Sequence, residues 1–280
     1  MNVIPISYDF MYNALLNDSD HPKALMYLTS NLLDIDFKTL KYGENFKILS
    51  RNLKLNNNKS AEFEVDILVK LNDNMFINIE MNRSFCSLRQ NRNLAYISKI
   101  FAEKYKKNTK KIEKVPVVKQ YNFFMNTPSI YNSISPIYDM TKDKEIIITD
   151  KLMTYYIDME KILNKSYNEL SKWEQKIYSW CVIFTSTSIE EIGKELEKIM
   201  SKKDARETKK RVKELSSDDE MVYLNDIYSR ADYEREGIKY DVKQDSLAAV
   251  AKNMLKDKIN PRLISRYTGL SKSEIANIKF

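Results

Sequence analysis

Glycine is nearly absent from this chain: four residues in 280, at Gly43, Gly193, Gly237 and Gly269. Neither a G-x-G-x-x-G dinucleotide turn nor a G-x-x-x-x-G-K-[ST] phosphate loop can be written with them, so no nucleotide cofactor is expected. Histidine is scarcer still. His21 stands alone, which excludes multi-histidine metal centres and zinc fingers. It sits in the turn-like Asp18-Ser19-Asp20-His21-Pro22 and reads as a loop or capping residue. The two cysteines, Cys86 and Cys181, are far apart and form no C-x-x-C pattern, as expected of reduced thiols in a cytosol. No apolar run approaches the roughly 18–20 residues needed to span a bilayer, and the opening MNVIPISYDF has no signal-peptide pattern. The expectation is a cytoplasmic protein with no membrane partner.

What is present is a chain with 43% hydrophobic residues, enough for one sizeable core with a helical appendage, and 30% charged residues. Its formal net charge of +7 leans toward a polyanionic partner such as nucleic acid. Heavy use of Asn, Lys, Ile and Tyr would also follow from A·T-rich coding, so charge alone is a weak guide.

Residues 62–82 carry the sharpest pattern. Two runs alternate polar and apolar residues with period two, and Asn72-Asp73-Asn74 between them is a turn signal. Glu62, Glu64 and Asp66 share one face of the first run; Asn78, Glu80 and Asn82 share one face of the second. Hairpin pairing can therefore bring Asp66 beside Glu80. Two such carboxylates are unfavourable together unless a cation lies between them. The competing reading is a solvated hairpin face with ordinary surface acids.

Around this hairpin, residues 7–17 and 22–33 read as amphipathic helices, 46–55 as a strand, 88–107 as a helix, and 115–125 and part of 145–159 as strands. The basic run Lys104–Lys114 reads as a solvated connector. Beyond about residue 165 the periodicity is helical only: 168–184 with a core stripe of Leu170, Trp173, Ile177, Trp180 and Cys181, then 187–200, 203–215 and 247–255, with a break near 215–220. Asn260-Pro261 opens a short helix that Gly269 closes, and Ser271 to Glu274 is a capping box for another. This pair resembles a helix-turn-helix in which Arg262, Arg266 and Lys272 meet phosphate; packing or self-association is the alternative. The expected class is α/β, with a mixed four- to five-stranded sheet followed by an all-helical extension, divided as 1–165, 166–240 and 241–280.

Asp66 followed by Glu80-Met81-Asn82 has the spacing of the PD-(D/E)XK nuclease motif, Asp and then (Asp/Glu)-x-Lys, without its lysine. Tyr8-Asp9-Phe10-Met11-Tyr12-Asn13, Asn78-Ile79-Glu80-Met81-Asn82, Arg92 with Tyr96, Ser98 and Lys99, and the tail from Ala251 and Ile264 through Ile275 follow in the order seen in the PD-(D/E)XK nuclease family transposases, the Rpn recombination-promoting nucleases. The chain resembles that family over nearly its whole length. The resemblance implies a restriction-endonuclease-like core, a divalent metal (Mg²⁺ or Mn²⁺), and DNA cleavage linked to recombination or mobile elements. By the same resemblance Asp66 and Glu80 are the metal ligands with the Met81 carbonyl, and Asn82 stands at the catalytic position of the motif lysine. Arg92 and Lys99 are then candidates for DNA contact, Arg92 alternatively pairing with Glu80 or Glu64. Glu64 and Asp9 are candidates for an outer ring around the ligands, Glu64 alternatively exposed. Asn82 and Asn13 depart from the family's usual Gln and Lys, which leaves open a catalytically weakened DNA-binding relative, or a protein-interaction module that self-associates through its tail.

Overall fold

The computed structural model describes residues 2–49, 52–53, 63–82, 87–106, 115–125, 134–136 and 151–278. The chain divides into two compact units, Met1–Val222 and Tyr223–Phe280.

The first unit begins with α1 (Asp9–Leu16) and α2 (Lys23–Leu33). The strands follow: β1 (Phe46–Leu49), β2 (Asn52–Leu53), β3 (Phe63–Glu64), β4 (Ile67–Leu71) and β5 (Met75–Met81). After α3 (Ser87–Lys106) come β6 (Val117–Phe124), β7 (Ile134–Pro136) and β8 (Leu152–Asp158). A mixed six-stranded sheet results, in the order β1-β4-β5-β6-β8-β7. It holds the five strands expected from the pattern, with the three-residue β7 added at the edge. β5 runs antiparallel to β4 and parallel to β6, and β6 runs parallel to β8. The β4–β5 turn is tight because Asn72 adopts a left-handed conformation, φ +55°, that asparagine tolerates better than most residues.

Two expected strands are broken. The run 46–55 divides between β1 in the main sheet and β2, which pairs with β3 in a separate two-stranded ribbon. The run 62–71 divides at Val65-Asp66, so Asp66 lies in a gap between β3 and β4. There, hydrogen bonds to carboxylates take over from the regular ladder. The turn at 56–60, Glu62, Cys86, most of the basic run (107–114) and residues 145–150 lie outside the described residues.

Both sheet faces are covered. On one, Leu68, Phe76 and Val118 pack against Tyr96, Ile97 and Ile100 of α3. On the other, the Tyr121 hydroxyl donates to the Leu32 carbonyl at 3.2 Å, and the Phe123 ring meets Phe184 edge-on at 5.2 Å. Phe184 belongs to α5 (Lys172–Thr185), which starts at a Ser171–Glu174 capping box and follows the short α4 (Met159–Leu163). Trp180 and Cys181 are fully buried on α5, as the stripe predicted; burial pushes the Cys181 thiol far above its ordinary range, so it is inert. α6 (Ile189–Ile199) and α7 (Lys202–Ser216) complete this unit.

The chain passes into the second unit within α8 (Asp219–Lys256), 38 residues long, so the expected helix at 247–255 is the end of a longer one. α9 (Pro261–Thr268) is capped by the Asn260 side chain and ends at Gly269, φ +74°; α10 (Lys272–Ala276) opens on the Ser271–Glu274 capping box. Ala251, Ile264, Leu270 and Ile275 form the core of this unit. Among the described residues, no helix is long and apolar enough to cross a membrane.

Because α3 is held to the sheet by few large residues, truncating one has a large effect. Ile97→Ala lowers the unfolding free energy by about 2–5 kcal/mol in urea melts. Leu94→Ala, on the 48% exposed side of the same helix, stays within about 0.5 kcal/mol of the parent.

Candidate active site

β5 reads MFINIEM, and its alternate residues Phe76, Asn78 and Glu80, with Asn82 just beyond, point to the α3 face of the sheet. On an uncovered sheet face such polar residues would be solvated. β5 is central, between β4 and β6, and Asn78, Glu80 and Asn82 are all buried. The solvated-face alternative is thereby removed. The parallel register sets Asn78 opposite Gln120 and Glu80 opposite Asn122, with Gln120 opposite Thr154 on β8, and these partners are buried too.

The result is a continuous polar ladder across three strands. The Asn78 amide donates to Glu80 Oε1 at 3.0 Å and to Gln120 Oε1 at 3.2 Å. Gln120 Nε2 donates to Asn122 Oδ1 at 2.9 Å, and Asn122 Nδ2 donates to Thr154 Oγ1 at 3.0 Å. Each link satisfies a group that would cost about 1–3 kcal/mol if left unpaired in the interior.

Asp66 meets the end of this ladder. Its backbone N–H donates to Glu80 Oε1 at 3.4 Å, and its Oδ2 accepts from the Met81 N–H at 2.8 Å. In a strand, the N–H and C=O of one residue point to the same side, so the Met81 carbonyl is turned toward the side from which Asp66 approaches. Burial, followed by the Asp66 charge, pushes the Glu80 carboxyl up from 4.5 to about 8. The Asn78 bond and the Arg92 charge pull it back in part.

Arg92, on the first half of α3, donates from Nη2 to Asn82 Oδ1 at 3.2 Å and lies 5.5 Å from the Tyr96 ring centroid. Asn82 does not end the strand pairing: its N–H continues the ladder to the Phe123 carbonyl at 2.8 Å. Lys99, two turns along α3, is half-buried and already has a partner. Asp9 is exposed at the start of α1, where its carbonyl accepts from Asn13 Nδ2 at 2.8 Å. Glu64 ends β3 opposite Asn52.

Two residues not named as site candidates from the sequence add to this description, Tyr12 from the Tyr8–Asn13 motif and Asn93 beside Arg92. Tyr12 on α1 is fully buried, and both the Asp66 and Glu80 charges act on its hydroxyl, which burial and those charges push far above the ordinary phenol value. Asn93, next to Arg92, is buried on the underside of α3. Among the described residues, the Tyr12 hydroxyl, Asn78 Oδ1, Asn82 Nδ2 and both amide atoms of Asn93 have no hydrogen-bond partner. A cavity of about 330 Å³ in the same unit lies elsewhere, lined by His21, Lys23, Phe37, Asp204 and Arg211 among others, with Lys23 and Arg211 paired to acids. His21 is the turn residue expected, its ring 3.0 Å from Asp18.

A family model described as PD-(D/E)XK nuclease family transposase matches residues 6–240. The chain belongs to that family. No curated protein and no solved structure matches it.

Nucleases of the PD-(D/E)XK superfamily are hydrolases that generally use divalent metals. In this family member the residues fit such an ion on two grounds. A buried carboxyl with a part-buried second acid beside it calls for a cation, and the orphaned polar atoms of Asn78 and Asn82 call for water or ligand to satisfy them. Asp66, Glu80 and the Met81 carbonyl could hold a hard ion that keeps waters in its other positions. Among the described residues, no group of three or more His, Cys, Asp or Glu side chains gathers.

Without metal, the folded protein retains the Glu80 proton to higher pH than the unfolded chain does. Its contribution to stability therefore falls as pH rises from 4.5 to about 8. The melting temperature measured in EDTA declines more steeply over that window for the parent than for Glu80→Gln. Equal slopes would show that Glu80 is ionised throughout.

Proposed function

We propose that the protein is a metal-dependent DNA endonuclease acting in recombination or on mobile elements, with Asp66, Glu80 and the Met81 carbonyl as ligands of Mg²⁺ or Mn²⁺. The observation that carries this reading is the meeting of Asp66 and Glu80 at the buried carboxyl end of β5, where an uncompensated pair is costly. Carboxyl ends of parallel strands are also where open α/β sheets place their ligands. When bound, the divalent ion supplies Lewis-acid stabilisation of phosphate charge and a more acidic water.

The chain's own residues take the other tasks. The Asn78–Gln120–Asn122–Thr154 ladder fixes the Glu80 carboxylate. Asn82 is uncharged and cannot do the electrostatic work of the motif lysine, but its Oδ1 receives the Arg92 guanidinium. Arg92 thus brings a cation from α3 to the place where the motif lysine would bring one from β5, and faces the scissile phosphate. Tyr12 and Asn93 offer orphaned polar atoms that orient a water or phosphate oxygen. Lys99 steers the DNA backbone toward the site.

Plasmid nicking with Mg²⁺ is abolished by EDTA and by Asp66→Asn, and Mg²⁺ raises the melting temperature of the parent but not of Asp66→Asn. Arg92→Ala slows cleavage by about 10²–10³-fold, a usual effect of removing one transition-state cation or donor, and Asn82→Lys in that background recovers part of the loss. A failure to recover removes the exchange of cations. The missing lysine favours one second reading, a DNA-binding relative with vestigial acids. No cleavage with either metal, with DNA affinity intact, selects that reading.

A further inference from the structure

Residues 251–278 hold Lys252, Lys256, Lys258, Arg262, Arg266 and Lys272 against only Asp257 and Glu274. Glu274 is engaged in its own helix cap, where Oε2 accepts from the Ser271 N–H at 2.6 Å. Among the described residues, none of the six cations has an ion-pair partner, in contrast to Lys23, Lys165, Lys176, Lys198 and Arg211 of the first unit, each held by a carboxylate. Buried Ile264 and Thr268 turn the inner side of α9 to the small core, leaving Arg262, Leu263, Arg266 and Tyr267 outside, Tyr267 at 71% exposure. Arg262 and Arg266 stand one turn apart, about 6 Å along the axis. Lys272 is exposed at the start of α10, three residues after Gly269.

The matched family model covers residues 6–240, and this face lies beyond that span. We propose that the exposed side of α9 and α10 binds the phosphate backbone of duplex DNA, as a grip separate from the Asp66–Glu80 centre. Guanidinium forks match phosphate oxygens in pairs, and unpaired cations give up no internal salt bridge when phosphate arrives. The exposed Tyr267 hydroxyl adds a donor at the same surface. An eight-residue helix with arginines among its exposed apolar residues is a poor membrane anchor. The proposal rests on the endonuclease reading only for the choice of DNA as the polyanion.

The test is binding of the full chain to a fluorescein-labelled duplex in EDTA, read as anisotropy over a salt titration. Each phosphate contact contributes roughly 0.9 to the slope of log K against log salt, so the triple substitution Arg262→Ala, Arg266→Ala, Lys272→Ala flattens it by about 2–3 and weakens binding at least about tenfold. Arg262→Lys with Arg266→Lys keeps the slope, which separates lost charge from lost fold. Removing three cations from the first unit, Lys194, Lys203 and Lys210, leaves it nearly unchanged. No duplex binding, an unchanged slope in the triple variant, or equal flattening in the control variant overturns the proposal. A protein that never cleaves yet shows the flattening loses the hydrolytic reading and keeps this one.

Discussion

The carboxylate of Glu80 sits in the middle of a sheet, and the architecture around it answers to the cost of that placement. A carboxylate taken out of water is stabilised by hydrogen bonds, by a cation, or by a proton. All three are in play: Asn78 and the Asp66 N–H supply the bonds, Arg92 supplies part of the charge, and a raised pKa retains the proton. The break between β3 and β4 belongs to the same economy, since Asp66 leaves the ladder to bond the Met81 N–H and to donate its own N–H to Glu80.

The polar ladder from Glu80 to Thr154 shows how such a site is kept rigid. Each amide is buried and each is engaged by its neighbour on the next strand, so the orientation of Glu80 is coupled to the register of β5, β6 and β8. A buried network of this kind is costly when broken and specific when complete. Among the described residues, Asn78 Oδ1 on β5, Asn82 Nδ2 just beyond it and the Tyr12 hydroxyl, on which both carboxylates act, lack hydrogen-bond partners, as do buried atoms of Asn13, Thr29, Asn31, Asn93, Trp180 and Arg211. Those of Asn78 and Asn82, beside Glu80, are groups that water or a hydrated ligand would satisfy.

Helix α3 has two jobs that its sequence keeps apart. Ile97, Ile100 and Tyr96 anchor it to Leu68, Phe76 and Val118, while one turn earlier Arg92 reaches Asn82. The rigid apolar half thus sets the position of the charged half. In the second unit the division is similar: Ile264, Leu270 and Ile275 build the small core, and the arginines occupy the other side of α9.

Much of this was legible in the sequence because it is local. Period-two alternation marked β4 and β5, asparagines marked their turn, and the spacing of Asp66 and Glu80 marked the pair. Capping residues at Asn260, Gly269 and Ser271 marked helix ends to within a residue, since caps act on the nearest backbone groups. What the sequence could not decide is anything set by partners distant along the chain. The same Asn78, Glu80 and Asn82 read as a wet face or a buried one, and only the docking of α3 on that side of β5 chose burial. Gln120 and Asn122 joined Glu80 through a parallel register that neither strand specifies alone. Tyr12 lies 54 positions before Asp66, and Arg92 finds Asn82 only because α3 docks where it does. Local chemistry determined the carboxylates and the helix caps; long-range packing decided which charges would be deprived of water, and hence where a cation is wanted.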